Sequence, residues 1–433
     1  MRTQIHLKFI LVLFGILIGV VPFQGWTQTT ELGLKQALQL AEQNSPSLRA
    51  SAFRENEAKE LTGAADAGFF PTLDAAAVDS SGFPGSASGL DGFLGLVASP
   101  YRKGAAADAF AKWDLLDLSQ WHRSAAAHDE YQASRERTQF QAAVVDQQAL
   151  EIYLETVRLR GNRDAWQHLA DELTDIKNTV DHFVRNGQYS EVQGLLIQDQ
   201  LSNAQLEEDD FDRQYQAGLS RLSLLTGMVD KSFSCPAPAE FTGGELANLP
   251  NSGTSPLVSQ AVLEAKAAQE TVSKYSTENL PKLEVAGSAG FMDETRLEPS
   301  QDYSVFVGVT MPVFEGFRID AEEKGAQAEA QARESDVAAD QLALNDLNVG
   351  YSETIQEAQA ELTILSQEEE RAVKAVALAK QRYLNFLGPL SDLQQALKDS
   401  VGVETQTADV KTRLLLAEGS QYLVNGGTVA EMK

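Results

Sequence analysis

The chain has 433 residues, with 62 acidic against 35 basic side chains and a formal charge of −27. That balance would repel phosphate backbones and argues against nucleic acid as a partner. The single cysteine, Cys235, cannot form an intrachain disulfide, so packing or assembly must hold the fold.

At the start, Arg2 and Lys8 precede an apolar run over residues 9–21, then Pro22 and a small or polar stretch to Thr30. This reads as a secretory signal over residues 1–27, cleaved near 25–28, because the run is short for a membrane span of about 20 residues. No cysteine lies near the cut to carry a lipid. Beyond it no apolar run reaches the length of about 18 residues that a transmembrane helix needs, so any residence in a membrane must rely on strands.

The mature chain repeats itself. Ser45-Pro46 and Phe70-Pro71-Thr72-Leu73 are answered by Ser255-Pro256 and Leu280-Pro281-Lys282-Leu283. Leu115-Leu116-Asp117 is answered by Val313-Phe314-Glu315, and Leu224-Leu225-Thr226-Gly227 by Leu423-Val424-Asn425-Gly426. One architecture is built twice, over residues 28–227 and 254–427. Pro236, Pro238, Gly243, Gly244 and Pro250 mark 228–253 as an irregular linker, and 428–433 is a short tail. Cys235, with no histidine near it in sequence, reads as a packing residue.

Each half opens with helix. Leu34, Ala37, Leu38 and Ala41 stand at helical spacing before Ser45-Pro46 interrupts, and the pattern resumes to about residue 69. Val258, Ala261, Val262 and Ala265 repeat it, and Pro71 or Pro281 ends the helix.

The period then becomes two. Leu283, Val285, Gly287, Ala289 and Phe291 alternate with polar or small residues, as do Tyr303, Val305, Val307, Val309 and Met311. The first half carries a weaker version. Strands are expected at about 72–79, 106–116, 282–291 and 303–312, long enough to cross a bilayer when tilted. Val305, Val307, Val309 and Met311 are the candidate lipid-facing residues, although a half-buried soluble sheet alternates in the same way. Residues 80–103 and 292–302 read as hairpin loops; Gly85-Ser86-Ala87-Ser88-Gly89 has its serines misplaced for a nucleophile elbow.

Long helices follow, over about 120–186 and 319–386, without an internal proline. At 1.5 Å per residue each extends about 100 Å. Frequent alanines suit close helix packing in a coiled coil or helical wall. The turns fall at 186–192 (Asn186, Gly187, Gln188, Tyr189, Ser190) and 386–392 (Phe386, Leu387, Gly388, Pro389, Leu390, Ser391), and helix returns for about 35 residues. Equal lengths should bring both turns to one depth. Asp392 is either an aperture charge or an N-cap competing with Ser391.

Four strands cannot close a barrel, and open edges are not tolerated in hydrocarbon. Two chains would supply eight strands and three would supply twelve, the latter wide enough for a lumen. The fold expected is mainly α with a membrane β-barrel contribution: tandem repeats, each a β-hairpin plus long antiparallel coiled-coil helices.

In sequence the chain resembles the TolC-like outer-membrane efflux proteins. The carrying features are Ala37-Leu38 with Ala41, Asn44 and Leu48; the two Pro-x-Leu helix ends; Pro312-Val313-Phe314-Glu315-Gly316; and Arg382-Tyr383 with Asp392 and Ala396. Phe386 stands where the family has glycine at a hairpin tip, and Gln193 where it has an acid. The resemblance implies a homotrimeric twelve-stranded barrel in outer-membrane lipid, continued by an α-helical barrel in the periplasm. It also implies a periplasmic adaptor docked at the tips and an inner-membrane pump, in a tripartite efflux or type I secretion system.

No cofactor, catalytic residue or metal site is expected. His122 and His128 are poorly spaced for a shared metal and read, with His168 and His182, as surface polar residues; His6 lies in the signal. The acidic runs 207–210 and 368–370 read as solvated helix faces. The rival is a periplasmic coiled-coil scaffold without a barrel, which explains the helices but leaves the alternating strands idle.

Overall fold

The computed structural model describes residues 30–80, 104–229, 233–237, 254–294 and 300–431. The signal segment, the Gly85–Gly89 motif and most of the linker lie outside these residues.

The first repeat holds β1 (Thr30–Glu31), α1 (Leu34–Asn44), α2 (Pro46–Asp66), a 3-10 turn (Ala67–Phe69), β2 (Thr72–Ser80) and β3 (Gly104–Leu116). It continues with α3 (Leu118–Arg185) and α4 (Glu191–Thr226). After β4 (Phe233–Ser234) the second repeat holds α5 (Pro256–Glu278), β5 (Lys282–Glu294), β6 (Ser300–Thr310), α6 (Arg318–Leu384) and α7 (Leu390–Val424), closed by a 3-10 turn (Val429–Glu431). Among the described residues no helix is long and apolar enough to cross a membrane.

Local chemistry sets the breaks. Pro46 takes the first helical position of α2, where its missing N–H costs nothing, and the Ser45 hydroxyl accepts from the Leu48 N–H at 3.2 Å. Asp117 alone joins β3 to α3, its carboxylate accepting from the Ser119 N–H at 2.9 Å. The second repeat replaces this one-residue joint with residues 311–317, which end on Gly316 and Phe317, both at positive φ.

β2, β3, β5 and β6 form one antiparallel sheet in that order. Pairing runs longer than side-chain alternation suggests: β5 continues to Glu294 and β6 begins at Ser300, so 292–294 and 300–302, expected as loop, are strand. At the other end β6 stops at Thr310, and Met311 lies outside the strand expected for it. Pro312 cannot donate to the ladder and restricts the residue before it.

The helices repeat the order of the strands. α3 packs on α2 and α5 in its upper half and on α4 and α7 lower down, and α6 packs on α5 and α7. The wall therefore reads α2–α3–α5–α6 beside the sheet and α4–α3–α7–α6 beyond it. One core cluster gathers α1, α3, the end of α4 and the end of α7 around Leu38, Leu150, Tyr153, Leu222 and Leu423. A second lies near the far end, with Ile176, Val180, Ile197, Tyr383 and Leu393.

The linker is not irregular throughout. Phe233–Ser234 pair in parallel with Thr30–Glu31, and Cys235 beside them is fully buried. Its N–H donates to the Tyr215 hydroxyl at 3.3 Å, and its carbonyl accepts from Arg160. Burial pushes the thiol up to about 12, so it stays protonated and acts as a small apolar side chain.

Candidate functional site

The register sorts the sheet into two faces. Along one, Leu73, Ala111, Gly287 and Val305 form a row, and Trp113, Val285 and Val307 form the next. Ala75, Ala109, Ala289 and Tyr303 continue this apolar face. The opposite face carries Asp74, Phe110, Ser288 and Ser304 in one row and Asp114, Glu284 and Gly308 in another. The Ser288 and Ser304 hydroxyls bond at 2.8 Å. Lys112 lies 3.6 Å from Asp114 and 3.5 Å from Glu284, leaving Asp74 and Asp108 without a cation on that face among the described residues. Val305, Val307 and Val309 are all more than 60% exposed.

Aromatic residues gather where strands meet helices. The Trp113 indole donates to the Phe69 carbonyl at 2.9 Å. Trp121 stands edge-on to Phe69 at 6.1 Å, and Phe314 edge-on to Phe317 at 5.4 Å. Phe70, Trp121, Phe314 and Phe317 are largely exposed.

At the far end both long helices stop in the same motif. Gly187 is left-handed (φ 73°); its N–H donates to the Val184 carbonyl at 3.0 Å and the Gln188 N–H to the Phe183 carbonyl at 2.8 Å. In the second repeat Phe386 takes the glycine's place (φ 61°), with its N–H on the Tyr383 carbonyl at 3.1 Å and the Leu387 N–H on the Arg382 carbonyl at 2.8 Å. This is the Schellman closure of a helix end. A side chain there costs roughly 1–2 kcal/mol.

The Phe386 ring packs 4.9 Å from Tyr189 and 5.2 Å from Phe183. Tyr189 stacks on Tyr383 at 5.1 Å with planes 11° apart, and its hydroxyl donates to the Tyr383 carbonyl. Each such ring pair contributes about 0.5–1.5 kcal/mol beyond burial, enough to offset the strain. Burial pushes the Tyr383 phenol up to about 12 and raises that of Tyr189, so both remain protonated.

The two expected turns therefore meet, as equal helix lengths require. The structure narrows them: the irregular residues are 186–190 and 385–389, while Leu390, Ser391 and Asp392 are already helical. Asn186, Gly187, Gln188, Ser190, Phe386, Leu387 and Pro389 are exposed, Tyr189 and Gly388 are half-buried, and Leu390 is buried against Leu393. Neither Asp392 nor Ser391 caps α7. Pro389 holds the N-cap position without a side-chain bond, and Asp392 is an exposed acid in the first turn. Phe183 escaped the sequence reading, since its partner Phe386 lies in the other repeat.

Among the described residues no group of three histidine, cysteine or acidic side chains gathers to hold a metal. The histidines have local partners: His122 Nδ1 lies 2.7 Å from Glu270, His128 Nε2 3.4 Å from Asp66, and His182 Nε2 3.0 Å from the Asn186 amide.

Residues 37–228 and 253–426 match the outer membrane efflux protein family. Solved structures share the fold. The outer membrane protein VceC from Vibrio cholerae has a TM-score of 0.74 at 15% identity, with 92% of this chain and 96% of that chain covered. CusC gives 0.75 at 13%, covering 93% and 94%, and the Campylobacter jejuni CmeC outer membrane channel gives 0.72 at 15%, covering 98% and 94%. No curated protein matches by sequence. A doubled strand–helix chain, one membrane-length sheet with an apolar and a polar face, and a family match over both repeats lead to one conclusion: the chain belongs to the outer membrane efflux protein family, an outer-membrane channel of tripartite efflux systems whose helices stand in the periplasm.

Proposed function

We propose that three copies join side to side into a closed conduit: twelve strands in the outer membrane, then a continuous helical wall. The observation that carries this is the shared open order of sheet and helices. β2 and β6 end the sheet, and unpaired strand edges are not viable in lipid. The helical edges below them are apolar: Phe53 and Leu61 on α2, Val192, Leu195 and Leu206 on α4, and Leu342, Val349, Ile364, Val373 and Leu378 on α6 are all more than half exposed. Two different edges on one chain make a head-to-tail contact, which closes as a ring. Three copies of four strands leave a lumen; two would fill with side chains.

In this arrangement Val305, Val307 and Val309 face lipid, and the exposed rings from Phe70 to Phe317 mark the inner membrane boundary. Asp74, Asp108, Asp114 and Glu284 line the lumen. The paired tips at 186–190 and 385–389 form the periplasmic aperture, where Asp392 and its symmetry mates bring like charges together, and dock a periplasmic adaptor served by an inner-membrane pump. Residues 1–27 serve as the export signal.

Size measurement of the purified protein in detergent tests the assembly. A heat-sensitive trimer is expected; a stable monomer refutes the conduit. Cysteines at Tyr189 and Leu387 should crosslink to an adaptor, and crosslinks obtained only from residues 80–103 would reverse the assigned ends.

A further inference from the structure

Asp146 sits where α1 crosses α3, and only 2% of it is exposed. Val145, Ala149 and Leu150 surround it on α3, and Leu38 and Ala41 of α1 join the same cluster. Its Oδ1 has no hydrogen-bond partner. Among the described residues, Glu42 of α1, itself half-buried, is the charged group acting on Asp146. The cluster's other side chains here are uncharged: Leu222 from α4, Tyr422 and Leu423 from α7, with Ser47 of α2 accepting from Gln141. Lys35, a cation of α1, stands about two helical turns before Glu42.

Two adjacent carboxylates in an apolar site cannot both stay charged. A metal would need several more oxygen ligands than the pair offers. A proton needs only these two: the Asp146 O–H donates to a Glu42 carboxylate oxygen, which removes one charge and gives the pair a hydrogen bond. We propose that Glu42 and Asp146 form a proton-binding site whose shared proton clasps α1 onto α3, and that loss of the proton loosens this clasp. In that step one O–H bond breaks and the proton passes to water; no other bond changes.

The position gives the clasp its consequence. β1 before α1 pairs with the linker strand β4, and the Tyr153 hydroxyl donates to the Leu32 carbonyl at 2.8 Å. Val429, from the turn after α7, packs into the same cluster. The start of the mature chain, the linker and the end of the second repeat are thus held together around α1.

Burial, then the Glu42 charge, pushes Asp146 from the ordinary 3.8 up to about 8. With a raised value the contribution is complete below about pH 4 and is lost as pH rises through about 8. The equilibrium for releasing α1 should rise by up to about tenfold per pH unit between those limits.

Hydrogen exchange over residues 30–44 of the full-length channel in detergent, corrected for intrinsic exchange, tests this. The wild type should open progressively as pH rises, while Asp146→Asn should show a flat profile. Equal profiles overturn the proposal. Infrared spectra near neutral pH should contain a protonated-carboxyl band that Asp146→Asn lacks; its absence from the wild type also overturns it. If Asp146→Asn does not fold, Glu42→Gln removes the like charge and offers an amide donor, so the wild-type response must move to lower pH. An unmoved response refutes the pair.

Discussion

α3 and α6 are repeat-related, 68 and 67 residues long, and occupy opposite situations. α3 buries 21 of its residues and α6 only six, because α3 has neighbours on both sides and α6 on one. Length and pattern came from duplication, whereas burial is decided by place in the wall. α6 exposes the large apolar side chains that α3 hides, which is what an edge needs if another chain is to cover it.

The largest effect should come from α3. Leu154→Ala removes a buried side chain from the main cluster and should cost about 2–5 kcal/mol in denaturant unfolding. Ile364→Ala on α6 should change protomer stability by less than about 0.5 kcal/mol, yet lower the temperature at which the oligomer dissociates. Equal effects in both assays would erase the contrast between the helices. Val307→Lys should impair assembly by about 2–4 kcal/mol near the midplane, measured as trimer yield, whereas Gly308→Lys, on the polar face, should assemble.

At the tips, Tyr189→Phe removes the hydroxyl bond between repeats and should cost about 0.5–1.5 kcal/mol, seen as raised single-channel conductance. Phe386→Gly relieves the left-handed strain but deletes two ring contacts, so stability should change little while the tips loosen by the same readout. Asp392→Asn is the smallest: thermal stability should hold within about 0.5 kcal/mol, because it caps nothing, and only cation block should weaken.

The sequence was informative where structure is local or repeated. Alternation from Leu283 to Phe291 located a strand, and the run without proline from about residue 120 located α3, which the structure starts at Leu118. Contacts between distant segments left no such trace. The pairing of Thr30–Glu31 with Phe233–Ser234 is too short to show a period. The tip cluster joins Phe183 to Phe386 across two repeats. Ser391 and Asp392 are cap-forming residue types, yet α7 starts at Leu390 because burying Leu390 and Leu393 on one face extends the helix.

The open order β2-β3-β5-β6 also has a genetic meaning. Each copy offers two unlike edges, so a copy damaged only at α6 still binds a neighbour through α2 and α4. It would enter a ring and stop it from closing. Co-expressed with intact protein, such an α6 variant should act dominantly, poisoning assemblies that contain a single defective member, and a second substitution restoring the fit should map to the opposite edge of the same polypeptide.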